Sequence, residues 1–264
     1  MPDMKSLLAQ VEAVVIQAAR AVQDRYDIDN RPQSRADIID QIRANDAISM
    51  EIMRSGFQAI RPQAQMLDDE IGTGALPDGE FWIVDPVEGA INQIHGMPDW
   101  CVSAALVRDN EIILTTVHQP LLGHTYSALR GQGAWLNGTP LKVSQKTDIG
   151  IAMVGTGQAA PGESAAVHAQ IGASVSAVLQ QALTVRVSVP ATLQLIQVAA
   201  GRMDGFWQFS QVRSGLAAGA LLVREAGGNV TDFDGNQWCF DSPRFLATTP
   251  AFSHTLSATL SDIA

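Results

Sequence analysis

The sequence predicts an α/β fold, in the α+β sense of an antiparallel block joined to an alternating one. Three observations carry this. Two amphipathic helical stretches open the chain, short apolar runs broken by turn residues fill 101–144, and strand-like and helix-like patterns alternate after about residue 150. With 264 residues, 46% hydrophobic and 17% charged, the chain has the composition of a globular protein rather than a disordered or coiled-coil one. The length suits one large domain or two packed halves. We expect a single compact unit, with an N-terminal α+β half over 1–146 and a C-terminal α/β half over 147–264.

Residues 4–25 read as the first helix, because Leu7, Leu8, Val11, Val14, Val15, Ala18 and Val22 recur at spacings of three and four. Residues 26–36, around Pro32, form a loop. A second helix is expected from about Asp37 to Ile60, with Ile38, Ile42, Ile48, Ile52 and Met53 facing inward. Acids, glycines and Pro77 make 63–79 mostly loop. Phe81–Val84 is a short apolar strand, which Asp85-Pro86 should end because proline fixes φ and lacks a donor.

Val102–Val107, Ile112–His118 and Tyr126–Arg130 are separated by Asp109-Asn110 and Pro120–Gly123, which predicts an antiparallel meander. Asn137-Gly138 signals a hairpin turn. Strands at 151–154, 184–188, 203–208 and 228–232 then alternate with helices at 163–182, 191–200 and 214–226. A strand at Phe245–Thr248 and a helix near 251–263 close the chain. Gly155-Thr156-Gly157 only faintly resembles a dinucleotide loop, lacks the full glycine pattern, and is read as plain loop.

No apolar run nears the roughly 18 residues of a membrane span. The first residues lack the basic-then-apolar layout of a signal peptide. The net charge of −10 disfavours nucleic acid and anionic membranes as partners, leaving a small molecule. An anionic substrate stays possible where metals or backbone amides supply positive charge locally. Cys101 and Cys239 form no CxxC motif and are expected as free, buried thiols in a reducing cytoplasm. The five histidines show no ligand spacing.

The most informative stretch is Trp82-Ile-Val-Asp85-Pro86-Val87-Glu88-Gly89-Ala90-Ile91-Asn92. A buried strand runs into two carboxylates three residues apart and then a glycine. Carboxylates at a strand end, beside free amides, can build a site for a metal and a phosphate; a capped loop with two surface acids is the plainer alternative. A second stretch, Leu216-Ala-Ala-Gly219 to Glu225-Ala-Gly-Gly228, reads as a packing helix of small residues with a glycine stop.

In order, these stretches resemble the inositol monophosphatase family. The acid motif matches D-P-[IV]-D-G-T-x-N followed by H-x-x-P, here Asp85–Asn92 and His95-Gly-Met-Pro98. Ser214-Gly215-Leu216-Ala217-Ala218-Gly219 and Glu225–Gly228 match W-D-x-A-A-G and E-A-G-G. Gly131–Ser144 and Val198–Gly205 are also similar to the family. The resemblance implies an α/β/α/β/α layered sandwich, a homodimer, and Mg²⁺-dependent hydrolysis of small phosphomonoesters.

Carried over by position, Asp85 matches the carboxylate bridging two metals, and Val87 would offer its carbonyl. Glu88 stands where the family has Asp. Asp69 matches a metal-binding Glu, with Asp68 as the neighbouring choice, and Asp46 matches the acid that orients the attacking water. The partner Thr is Ala90, the second-metal Asp is Gly215, its preceding Trp is Ser214, and a polyol-contacting acid is Gln208. Val189-Pro190-Ala191 replaces the substrate loop G-[ST]-A. Arg213 could set a guanidinium beside the vacated site.

The catalytic candidates are therefore Asp46, Asp85 and Glu88, and the metal candidates Asp69, Asp85, Val87 and Glu88. Gly89, Ala90, Ile91, Gln208, Arg213 and Gly215 are the substrate-binding candidates. Losing an acid at 215 and a hydroxyl at 90 should leave Mg²⁺ weakly bound or absent. Each such loss typically costs two to three orders of magnitude in rate. Asp46, Asp69, Asp85 and Glu88 are expected to converge and to share protons. Three functions compete: a repurposed enzyme using carboxylate acid/base chemistry, a surviving Mg²⁺ phosphomonoesterase, and a non-catalytic binding protein.

Overall fold

A computed structural model describes residues 3–67, 74–158, 162–210 and 212–263. The amphipathic opening stretch forms α1 (Met4–Gln23), whose buried side chains are Leu7, Leu8, Val11, Val15, Ala18, Ala19 and Val22. Helix α2 (Arg35–Ile60) starts two residues earlier than its apolar pattern suggests, because the Ser34 hydroxyl caps it by accepting from Asp37 N at 3.1 Å. Its inward stripe is Asn45, Ser49, Met53 and Phe57 rather than the isoleucines, which flank it half-buried or exposed. Two polar residues can occupy that stripe because partners satisfy them. The Asn45 amide donates to Gln93 Oε1 at 2.7 Å, and its carbonyl accepts from Arg25 Nε at 2.8 Å.

The first sheet has seven strands in chain order: β1 (Gln65–Met66), β2 (Glu80–Glu88), β3 (Cys101–Arg108), β4 (Glu111–Gln119), β5 (His124–Leu129), β6 (Gly133–Leu136) and β7 (Thr139–Pro140). The meander from β2 to β7 is antiparallel throughout, and β1 joins it in parallel. The β6–β7 turn is Asn137-Gly138, both at positive φ (48° and 79°). Strand β2 does not stop at Pro86. Asp85 pairs with Ser103 and Glu88 with Cys101, so β2 spends three steps where β3 spends two. That one-residue bulge absorbs the missing proline donor and lets pairing resume.

The second sheet comprises β8 (Met153–Thr156), β9 (Thr184–Val187), β10 (Gly205–Gln208), β11 (Asn229–Thr231) and β12 (Phe245–Thr248), in the order β11-β12-β10-β8-β9. Strands β8, β9 and β10 are mutually parallel, and β12 is antiparallel to β10 and β11. Gly155 and Thr156 lie inside β8, not in a loop. A Cβ at Gly155 would collide with Gln194 Oε1 and come within 2.7 Å of Met203 Cε, so the glycine serves packing rather than nucleotide binding.

The period-2 alternation of the strands sorts the core into layers. Trp82, Val84, Val102, Ala104 and Leu106 face α1 and α2, with Trp82 stacked on Phe57 at 4.3 Å. Phe81, Ile83, Ala105 and Val107 face the opposite way, toward α5 (Ala191–Ala199) and α6 (Arg213–Glu225), which also cover Phe206 and Phe245 of the second sheet. The far face of that sheet, with Val154, Trp207 and Leu246, packs against α4 (Ala165–Leu179) and α7 (Ser253–Ser261). The result is the α/β/α/β/α stack. No described helix is long and apolar enough to cross a membrane. Cys101 is buried as expected, whereas Cys239 is exposed, because it follows buried Trp238 outside any strand.

Candidate functional site

The bulge in β2 positions the acid motif. Asp85 is half-buried, and its Oδ1 accepts from Val87 N at 3.2 Å. The Val87 side chain is packed into the α1/α2 core. Glu88, at the end of β2, is only 7% exposed. Gly89 follows at φ 86°, where a Cβ would stand 2.7 Å from the Asp99 carbonyl and 3.1 Å from Pro190. Only glycine meets both demands. The chain then enters α3 (Ala90–Ile94), whose Asn92 donates to Asp99 O at 2.8 Å and Val189 O at 3.0 Å. That amide ties the acid motif to the cis Val189–Pro190 segment before α5.

Thr192, fully buried in α5, was not among the residues the sequence singles out. Its hydroxyl oxygen is 3.1 Å from Glu88 Oε2 and 2.9 Å from the Gly215 carbonyl, so it fastens the carboxylate to the first turn of α6. The one signal for it is its place immediately after the substrate-loop match. A Cβ at Gly215 would lie 3.5 Å from Glu88 Oε2 and 3.7 Å from Oε1, in ordinary contact. Both carboxylate oxygens therefore border the space that a side chain at 215 would occupy. Beneath Glu88, its cross-strand neighbour Cys101 is a fully buried thiol. Burial first, then the charges of Glu88 and Asp85, push its pKa well above the usual thiol range, so it remains neutral.

These elements enclose a cavity of about 340 Å³. Of the sequence candidates, Glu88, Gly89, Ala90, Ile91, Gln208 and Gly215 line it. Gln158 and Val212 also line it, without any motif to announce them. Asp46, Asp85, Val87 and Arg213 do not line it. Asp46 is half-buried on α2, beside the Asn45 that anchors α3. The Arg213 guanidinium turns instead to the Gly74 carbonyl at 2.7 Å and lies 5.8 Å from the Phe240 ring centroid. Asp68 and Asp69 fall outside the described residues.

Among the described residues, no three His, Cys, Asp or Glu side chains form a group able to hold a metal ion. Gly215 contributes no side-chain oxygen where a second ion would need one, and Gln208 contributes an amide. Among the described residues, the donors that the resemblance assigns to an ion are Asp85, Glu88 and the Val87 carbonyl.

The five-layer stack, with its cavity between the end of β2 and the start of α6, defines a family that comparison identifies. The chain matches the model of the inositol monophosphatase family over residues 3–263, and it belongs to that family. It is 34% identical over 230 residues to the inositol-1-monophosphatase of Rhizobium meliloti, covering 87% of this chain and 86% of that one. It is 31% identical to the putative Nus factor SuhB of Neisseria meningitidis serogroup B, over 81% of this chain and 80% of the relative. The crystal structure of the extragenic suppressor protein suhB from Bartonella henselae superposes with a TM-score of 0.81 at 27% identity, over 97% of this chain and 98% of that one.

Proposed function

We propose that this chain is a family member that binds a small organic metabolite in the cavity and acts on it through the Glu88 carboxylate, rather than by hydrolysing a phosphomonoester between two divalent ions. The observation that carries this reading is the hydrogen at 215. Where the family resemblance calls for a metal-binding Asp, the space bordered by both Glu88 oxygens is left open for a ligand. Ala90 lines the same cavity without the hydroxyl that would orient an attacking water. Glu88 is held by Thr192 and mostly withdrawn from solvent, so it can take or give a proton in a setting where such transfers count.

The test is phosphate release from inositol, sugar and nucleotide monophosphates at millimolar Mg²⁺. We expect rates at background for the wild-type chain and a measurable gain in the Gly215→Asp, Ala90→Thr double variant. Wild-type turnover comparable to an authentic phosphatase would reject the reading.

A second reading, a Mg²⁺-dependent phosphomonoesterase, is favoured by one specific finding: a relative 34% identical across most of both chains is named an inositol-1-monophosphatase. Under that reading Asp85, Glu88 and the Val87 carbonyl, with Asp69, would hold the ion. The same assay separates the two.

A further inference from the structure

We propose a second binding site, separate from the cavity at the end of β2, in which Arg224 and His254 hold a small hydroxylated organic anion bearing a carboxylate or a phosphate. A cavity of about 580 Å³ opens where the end of α6, the start of β11 and the first turns of α7 meet. Its titratable lining is Arg224 from α6, His254 from α7 and Asp234 from the turn after β11.

Arg224 carries the argument. It is half-buried in the last turn of α6. Its Nη2 donates to the Trp238 carbonyl at 2.6 Å, and its guanidinium carbon lies 5.9 Å from the Trp238 ring centroid. Among the described residues, no carboxylate comes within ion-pair distance of it. The neighbouring acids are committed elsewhere. Glu111 pairs with Arg130 Nη1 at 2.5 Å, and Glu225 accepts from the Gly131 and Gly133 amides. Burial pulls the Arg224 pKa down, with the Glu111 charge opposing it, yet a guanidinium keeps its proton. A charge withdrawn from water without a counter-charge is costly, and an anion in this cavity supplies one.

The neutral groups of the lining offer the matching donors. Ser253 Oγ accepts from Asn229 Nδ2 and from Thr248 Oγ1, both at 3.2 Å, so its own proton is left to donate. Asn229 keeps a second amide hydrogen, and the Thr231 hydroxyl and Gln237 amide add further polar groups. Asp234, exposed on its turn, is the acceptor for a ligand hydroxyl. The volume is that of a metabolite site, and guanidinium recognises carboxylate and phosphate by the same pair of parallel hydrogen bonds.

Calorimetric titration of the full-length chain in EDTA with L-malate, glycerol 3-phosphate and glycerol tests this. The two anions distinguish a carboxylate from a phosphate as the group bound. We expect saturable binding of at least one of them, none of glycerol, and a shift of the His254 ring signals in the NMR spectrum as the anion binds. Arg224→Gln should abolish the binding. His254 is exposed, so His254→Glu leaves the core untouched, and it should weaken binding roughly tenfold or more by setting a carboxylate against the anion. No saturable binding of either anion would overturn the site, and so would binding as tight in His254→Glu as in the wild-type chain. Neither result bears on the cavity at the end of β2, which the phosphate-release assay decides.

Discussion

At Gly215 a side chain could grow toward Glu88 without meeting backbone, yet the chain has none there. The consequence falls on Thr192, whose single hydroxyl proton serves two neighbours, Glu88 Oε2 and the Gly215 carbonyl. Thr192→Val should therefore cost about 1–3 kcal/mol in urea unfolding, since it removes a buried hydroxyl's hydrogen bonds without changing volume much. Thr192→Ser should recover most of that loss.

His118 offers a second test at the residue level. It is 6% exposed, contacts Thr125 Oγ1 at 2.9 Å, and has its pKa lowered to about 4 by burial, then by the charge of Arg20 and by His124. The unfolded imidazole keeps the ordinary value near 6.5, so between those two values the unfolded chain binds more protons. Stability should be full above pH 6.5 and fall as the pH drops toward 4, by about 3 kcal/mol in all. Urea midpoints measured across that range check it, and His118→Gln should flatten the slope.

Among the elements, the turn into α3 and the end of α6 carry the most information. Gly89→Ala would need a left-handed φ and a Cβ 2.7 Å from a carbonyl, so it should shift α3, remove ligand binding, and lower stability by more than 2 kcal/mol. A crystal structure and a thermal melt of the variant would show both effects. At the other end, the Glu225 carboxylate accepts from Gly131 N at 2.7 Å and Gly133 N at 2.8 Å, pinning the β5–β6 turn to the last residue of α6. The E-A-G-G stretch thus has a structural task. Glu225→Ala should cost roughly 1–3 kcal/mol and leave ligand affinity unchanged.

Periodicity made the helices and the meander legible, because burial on one face leaves a repeat in the sequence. It did not reveal the β2 bulge or the polar stripe of α2. Pro86 alone reads as a stop, and the polar Asn45 and Ser49 fall outside the apolar repeat. Only the partner strand and the partners Gln93 and Arg25 reverse those readings.

For the whole molecule, the layer order could be anticipated from the ordered motifs, and six of the residues matched to the site line the cavity between the end of β2 and the start of α6. Which candidates actually border the cavity could not be anticipated. Asp46, Asp85 and Arg213 are all matched to the site by the resemblance, yet none of them is among the lining residues, and Arg213 donates to the Gly74 carbonyl. Thr192, Gln158 and Val212 come from three separate segments and meet only through the fold.

The account stands on the proposal that this site does not grip two divalent ions. Titrating Mn²⁺ into the full-length wild-type chain, and counting ions per chain by calorimetry, tests it most directly. We predict no more than one ion, with millimolar affinity; two ions bound at micromolar concentration would contradict the account.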